Sequence, residues 1–223
     1  MVGVKDGRTL IDKDFQKQLM QLDANFEAVW DAESPILEYL IAAFEESSSG
    51  SADFTQISQW VTAAAVDKRA SVFLGTPLGV GRKYYVSVKA KNAAGHVATC
   101  NSDGVRIDTV PPHEGTVQIG FGSDQAIDAK TGLLPIFIQK FDDKDSGIES
   151  FFWRVLETET SKTIAAGSLQ GDGHVVFAKV KLKAGNHYEA QIMARDFAGN
   201  EISSSSGAML ALLDDFYVPD WSK

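Results

Sequence analysis

Apolar residues recur at alternate positions through much of this chain, the spacing of strands that bury one face. Tyr39, Ile41 and Ala43 can share one face of a strand with Leu40 and Ala42 on the other, and Phe151, Trp153 and Val155 do the same later. Val72 and Leu74, then Val175, Phe177 and Val180, mark further short strands bounded by glycines. Short strands about ten residues apart predict a β-sandwich or barrel. Helical spacing competes only near the N-terminus, where Phe15, Leu19, Leu22 and Phe26 fall roughly one turn apart within 14–26.

The pattern is written twice. The stretch from Leu78 to Gly95 is matched position for position by Leu182 to Gly199: Gly81 and Gly185, Tyr84 and Tyr188, Gly95 and Gly199 are each separated by 104 residues. An earlier landmark, Glu33-Ser34-Pro35-Ile36 before Tyr39, returns as Asp145-Ser146-Gly147-Ile148 before Phe151 at a separation of 112. Copy one is therefore the longer between the landmarks, and the turn-forming run from Glu45 to Asp53 is the expected place of the extra residues. Val4-Lys5-Asp6-Gly7 mirrors Val117-Gln118-Ile119-Gly120 as the first strand of each copy. Val105 to Val110 reads as a last strand running into Pro111-Pro112, where a ladder cannot continue, so the expected domains are 1–110 and 111–223 with a short, stiff link. Residues 209–213 can complete copy two; Phe216, Tyr217 and Trp221 then either fold back as a plug or offer an aromatic patch to a neighbour.

Composition narrows the function classes. The chain has 223 residues, 44% of them apolar and 23% charged, enough hydrophobic material for two cores. A formal net charge of -9 argues against a phosphate-backbone binder, so no nucleic-acid partner is expected. No apolar run reaches the roughly 18 to 20 residues that cross a bilayer, and the N-terminal stretch is polar rather than signal-like, so no membrane insertion is expected. With Cys100 alone, an intrachain disulfide and a multi-cysteine zinc site are excluded; the thiol reads as a half-buried strand residue.

Catalytic signatures are missing: there is no GxSxG, HExxH, P-loop or GxGxxG, and His96, His113, His174 and His187 are scattered through turns. No catalytic, cofactor-binding or metal residue is assigned, no cofactor is expected, and the chain reads as non-enzymatic. Asp142 to Glu149 has the alternating acids of a calcium loop but lacks the twelfth-position glutamate, and Lys144 opposes it; a solvated loop between strands is the simpler reading. Asp103 and Asp108 could instead join acids of copy two around an ion at the junction. Arg-Gly-Asp and Asn-x-Ser/Thr are both missing, while Ser47 to Ser51 and Ser203 to Ser206 could carry O-linked sugar.

One family fits the repeated residues. Leu78, Gly81, Tyr84, Val86, Val88, Ala90, Asn92 and Gly95 resemble strand F and its flanks in fibronectin type III domains; Leu182, Gly185, Tyr188, Ala190, Ile192, Ala194 and Gly199 repeat the likeness with Asp196 in place of the asparagine. Ser102 to Pro112 is similar to the end-of-domain segment between such modules in extracellular multidomain proteins. The resemblance implies an all-β fold of two immunoglobulin-like, fibronectin type III-like sandwiches in tandem, with Tyr84 and Tyr188 as tyrosine corners turned by Gly81 and Gly185. For strand B it offers Phe26, Ala28 and Trp30 in copy one, and either Ile136 with Ile138 or Pro135 with Phe137 in copy two. It further implies a structural, adhesion or assembly module, extracellular or at the cell surface, working through protein partners. The alternative is an accessory carbohydrate-binding module: Trp30 and Trp153 fit core positions, leaving Trp60 and Trp221 as candidate stacking platforms for a glycan.

Overall fold

Strands β1 (Val4–Asp6), β2 (Phe15–Gln16), β3 (Gln21–Phe26), β4 (Ile36–Glu46), β5 (Phe54–Gln56), β6 (Val61–Ala63), β7 (Arg69–Phe73), β8 (Lys83–Asn92), β9 (Val97–Asn101) and β10 (Val105–Ile107) build the first of two units, Met1–Thr109. The second, Val110–Lys223, holds β11 (Thr116–Ile119), β12 (Ala126–Asp128), β13 (Leu133–Gln139), β14 (Ile148–Glu157), β15 (Lys162–Gln170), β16 (Val175–Lys179), β17 (His187–Asp196), β18 (Glu201–Ser205) and β19 (Met209–Leu212). The computed structural model describes residues 3–9, 11–47, 54–63, 68–120, 126–171 and 173–213.

Each unit is two sheets face to face. In the first, the small sheet runs β1-β3-β7 and the large one β2-β10-β8-β4-β5, with β6 also on β4 and β9 on β8. In the second, β11-β13-β16 faces β12-β19-β17-β14-β15, with β18 on β17. All pairings are antiparallel except β2 with β10 and β12 with β19, which are parallel at the same place in both units.

Alternation fixes which face is inside. Leu22, Ala24 and Phe26 of β3 join Tyr39, Ile41 and Ala43 of β4 and Val86, Val88 and Ala90 of β8 in one core. Leu134, Ile136 and Ile138 of β13 join Phe151, Val155, Ala190, Ile192 and Ala194 in the other. Each fully buried Leu, Ile or Val contributes roughly 1.5–3 kcal/mol, which lets both units hold without a disulfide.

Four expectations change. The segment 14–26 is not helical: its Leu22-Ala24-Phe26 alternation serves β3, and Phe15 lies in β2. Trp30 is not a core residue: β3 stops at Phe26, and the ring beyond it is 83% exposed. A strand, β16, does form where Val175 and Phe177 mark one, but Val180 lies beyond it, and Val176 and Ala178 turn inward while Phe177 is 59% exposed. The extra length of copy one is spread out, since β4 to β5 takes 47–53 against 158–161 between β14 and β15, and β7 to β8 takes 74–82 against 180–186 between β16 and β17. For copy two, Ile136 with Ile138 is the inward pair of the two offered.

Candidate functional site

The tyrosine corners are built alike. Tyr84 is 3% exposed and its hydroxyl accepts the Gly79 N–H at 2.7 Å; Tyr188 is 1% exposed and its hydroxyl accepts the Lys183 N–H at 2.8 Å. A glutamate from the neighbouring strand attends each. Glu45 accepts from the Tyr84 hydroxyl at 3.3 Å and pairs with Arg82. Glu157 accepts from Thr160 Oγ1 at 2.6 Å, Asn186 Nδ2 at 2.7 Å and Lys183 Nζ at 3.3 Å. The Thr160 and Asn186 hydrogen bonds, with Lys183 behind them, draw the Glu157 carboxyl down to about 2.

Turn chemistry is duplicated as well. Asp31 Oδ1 accepts the N–H groups of Glu33 and Ser34 at 2.9 and 3.1 Å; Asp143 Oδ1 accepts those of Asp145, Ser146 and Gly147 at 3.0, 2.7 and 3.0 Å. Asp143, the second of the acids around 142–149, is thus engaged in closing its own loop, as Asp31 is in copy one. Asn92 Oδ1 accepts the His96 N–H at 2.8 Å and Asp196 Oδ1 the Asn200 N–H at 2.7 Å, which is why either residue type serves at that position.

A third set of polar groups occurs in the first unit and was not foreseen as a group. Asp6 ends β1 facing inward and is 1% exposed. Gly7, at φ 91°, turns the chain away, and a few residues on Asp12 Oδ1 accepts the Asp6 N–H at 2.7 Å. From the other sheet, the turn between β9 and β10 brings Asp103 and Gly104. Gly104 has φ 97°, and a Cβ there would lie 2.6 Å from the Tyr85 ring, so only glycine lets its N–H reach Asp6 Oδ2, at 2.9 Å. One carboxylate oxygen from each of Asp6, Asp12 and Asp103 lies within 4.8 Å of the others. Asp6 Oδ1 is buried and has no hydrogen-bond partner among the described residues. Burial raises the Asp6 carboxyl to about 7; hydrogen bonds from Ser102 and Gly104 pull the other way, and the facing Asp12 and Asp103 charges raise it further. Asp103 therefore does gather with acids, and these two belong to its own unit. Asp108 is buried with its N–H on the Gln16 carbonyl at 3.0 Å.

The remaining candidates are dispersed. His187 Nδ1 lies 2.8 Å from Glu159 Oε1 at the surface, and His113 forms a β-bridge with Asp142. No histidine and no cysteine joins a cluster of three potential metal ligands among the described residues. Cys100 is half-buried on β9. Ser204 Oγ donates to the Gly115 carbonyl at 3.1 Å, and Ser206 Oγ accepts the Ala190 N–H at 3.0 Å, so two of the serines between 203 and 206 are structural. Trp60 packs on Phe44 and carries the Lys89 ammonium 3.7 Å from its ring centre, which takes up one face of the expected platform. Trp30 instead stands free beside a groove lined with Asp31, Asn92 and His96. Trp153 is half-buried against the second core, its ring over Gly167. Phe216, Tyr217, Trp221 and Ser48 to Ser51 lie outside the described residues. Among the described residues, no helix is long and apolar enough to cross a membrane.

No family model matches the sequence, and no curated protein is similar to it. Solved structures are similar in fold. The fibronectin(III)-like modules of Clostridium thermocellum CbhA align over 98% of this chain and 99% of theirs, with a TM-score of 0.57 and 15% identity. The chicken CNTN1 FN1-FN3 domains align over 91% of this chain and 66% of theirs, with a TM-score of 0.48 and 14% identity. Two sandwiches, paired tyrosine corners and this likeness along almost the whole length give the chain two tandem domains of the fibronectin type III-like fold.

Proposed function

We propose that the chain is a non-catalytic structural, adhesion or assembly module of a multidomain protein at or outside the cell surface, acting through protein contacts. The observation that carries this is the equivalence of polar chemistry in the two copies: the corner tyrosines and the Asp31 and Asp143 turns hold backbone in place, and the glutamates beside the corners are engaged by neighbouring side chains. Groups fixed in that way are scaffold rather than reagents.

The edge open to a protein partner differs between the units. Among the described residues, β15 ends its sheet as nine continuous residues paired only to β14. In the first unit the same side of β4 is covered by two three-residue strands, β5 and β6, interrupted where the Ser58 hydroxyl accepts the Ala43 N–H at 2.8 Å. A continuous edge takes an added strand and an interrupted one resists it. A photo-crosslinking residue at Ala166 on β15 is expected to capture a protein partner that the same residue at Thr55 on β5 does not. Equal capture at both, or capture at Thr55 alone, overturns the assignment to that edge.

The 83% exposure of Trp30 favours a second reading, a glycan-binding accessory module, with Trp30 taking the place expected for Trp60. A glycan array on which binding is lost in Trp30→Ala and kept in Trp60→Ala would support it; silence on the array would remove it.

A further inference from the structure

We propose that Asp6, Asp12 and Asp103 form a binding site for one calcium ion that ties the two sheets of the first unit together. The three carboxylates come from the end of β1, the segment after it and the turn before β10, with an oxygen of each within 4.8 Å of the others. Calcium bonds at 2.3–2.6 Å place neighbouring oxygens of one coordination shell at about this spacing or less. Proximity of acids alone would carry nothing, but Asp6 is different in kind. It is 1% exposed, and its Oδ1 is buried with no hydrogen-bond partner among the described residues, while Oδ2 is held by the Gly104 N–H. A buried carboxylate oxygen left bare gives up its hydration with nothing in return. Hydrogen bonds from Ser102 and Gly104 offset part of the burial, the like charges of Asp12 and Asp103 add to it, and a bound cation would relieve both the burial and the repulsion.

The donor set chooses the ion. Three carboxylates with no nitrogen or sulfur disfavour zinc and suit a hard cation. Asp12 and Asp103 are exposed, leaving room for water to complete six to eight ligands around calcium; magnesium demands a tighter octahedron than side chains on three separate segments provide. The repeat supplies an internal control. The residue matching Asp6 is Ile119, also 1% exposed, and the residue matching Asp103 is Gly207, so the second unit lacks both acids.

The test uses the full chain, stripped of metal by chelation and titrated with calcium chloride by calorimetry, alongside Asp103→Asn and Asp6→Ile. Asp103 is exposed, so its amide variant should fold; Asp6→Ile copies the second unit's own core residue. Each variant is expected to bind one calcium ion fewer than the unaltered chain. In calcium at about a hundredfold over its dissociation constant, the first unit's melting temperature should rise by on the order of 10 °C in the unaltered chain, and the variants should lose that rise. Magnesium chloride at equal concentration should give a smaller rise. Equal calcium stoichiometry in all three chains would overturn the proposal. So would no binding at about 10 mM calcium.

Discussion

Strands β1 and β11 open their units in the same register: Val4 pairs with Phe26 and Asp6 with Ala24, Val117 with Ile138 and Ile119 with Ile136. Each strand runs into a left-handed glycine, Gly7 or Gly120. The same inward position thus holds a carboxylate in one copy and an isoleucine in the other. An isoleucine there contributes roughly 1.5–3 kcal/mol by leaving water, whereas a carboxylate must be compensated for leaving it. The sandwich does not require the acid. Nearby, Ser102 and Ser206 do the same work, accepting the Val86 and Ala190 N–H groups at 3.0 Å, but the residues that follow them are Asp103-Gly104 in one copy and Gly207-Ala208 in the other. Acid, second acid and the glycine directly after it are present together or absent together, the second copy placing its left-handed Gly207 where the first has Asp103, which marks them as one device laid on a common frame.

The sharpest way to break that comparison is to exchange the residues. Ile119→Asp places a carboxylate where, among the described residues, no second acid and no Gly104-like N–H is arranged for it, and should cost the second unit about 3 kcal/mol or more. Asp6→Ile without calcium should instead stabilise the first unit, by about 1–3 kcal/mol. Chemical denaturation of the full chain, read at probes in each unit, decides; equal losses from both exchanges would mean that the two positions are not equivalent.

The corners should respond alike where the acids do not. Tyr84→Phe and Tyr188→Phe each remove a buried hydroxyl and strand one backbone N–H, of Gly79 or Lys183. Each should cost about 1–2 kcal/mol. If unfolding shows one near zero and the other large, the two corners are not the same device.

These corners were legible in the sequence because everything that makes them is local: a glycine three residues before the tyrosine, alternation after it, and the whole set repeated. Trp30 was misplaced because Phe26, Ala28 and Trp30 continue an alternation that the sheet does not; the Val29 N–H already bonds the Tyr39 hydroxyl at 3.1 Å, away from any ladder. Trp30→Ala should therefore cost under about 0.5 kcal/mol, while Trp153→Ala, which opens space over Gly167, should cost about 1 kcal/mol. Melting curves of the two variants test this, and a large loss at Trp30 would restore it to the core. The acidic trio was illegible for the opposite reason. Asp6 meets Gly104 across 98 residues of sequence, and the one local hint was an aspartate in phase with the inward Val4, opposite Ile119 in the other copy.

The smallest expected difference concerns the glutamates beside the corners. The Glu157 side chain is 4% exposed among Thr160, Asn186 and Lys183, whereas that of Glu45 is 21% exposed beside Arg82. The Glu157 carboxyl is held at about 2 in the folded chain against an ordinary value of 4.5. A carboxyl depressed by folding stabilises the fold above the ordinary value, and that stabilisation is lost as pH falls from about 4.5 towards 2. Glu157→Gln should thus lower the second unit's stability at pH 7, with the gap to the unaltered chain closing as the pH approaches 2. Acid titrations of both chains followed by tryptophan fluorescence read this directly. A gap of constant size from pH 7 to pH 2 would mean that Glu157 acts there through shape rather than through charge.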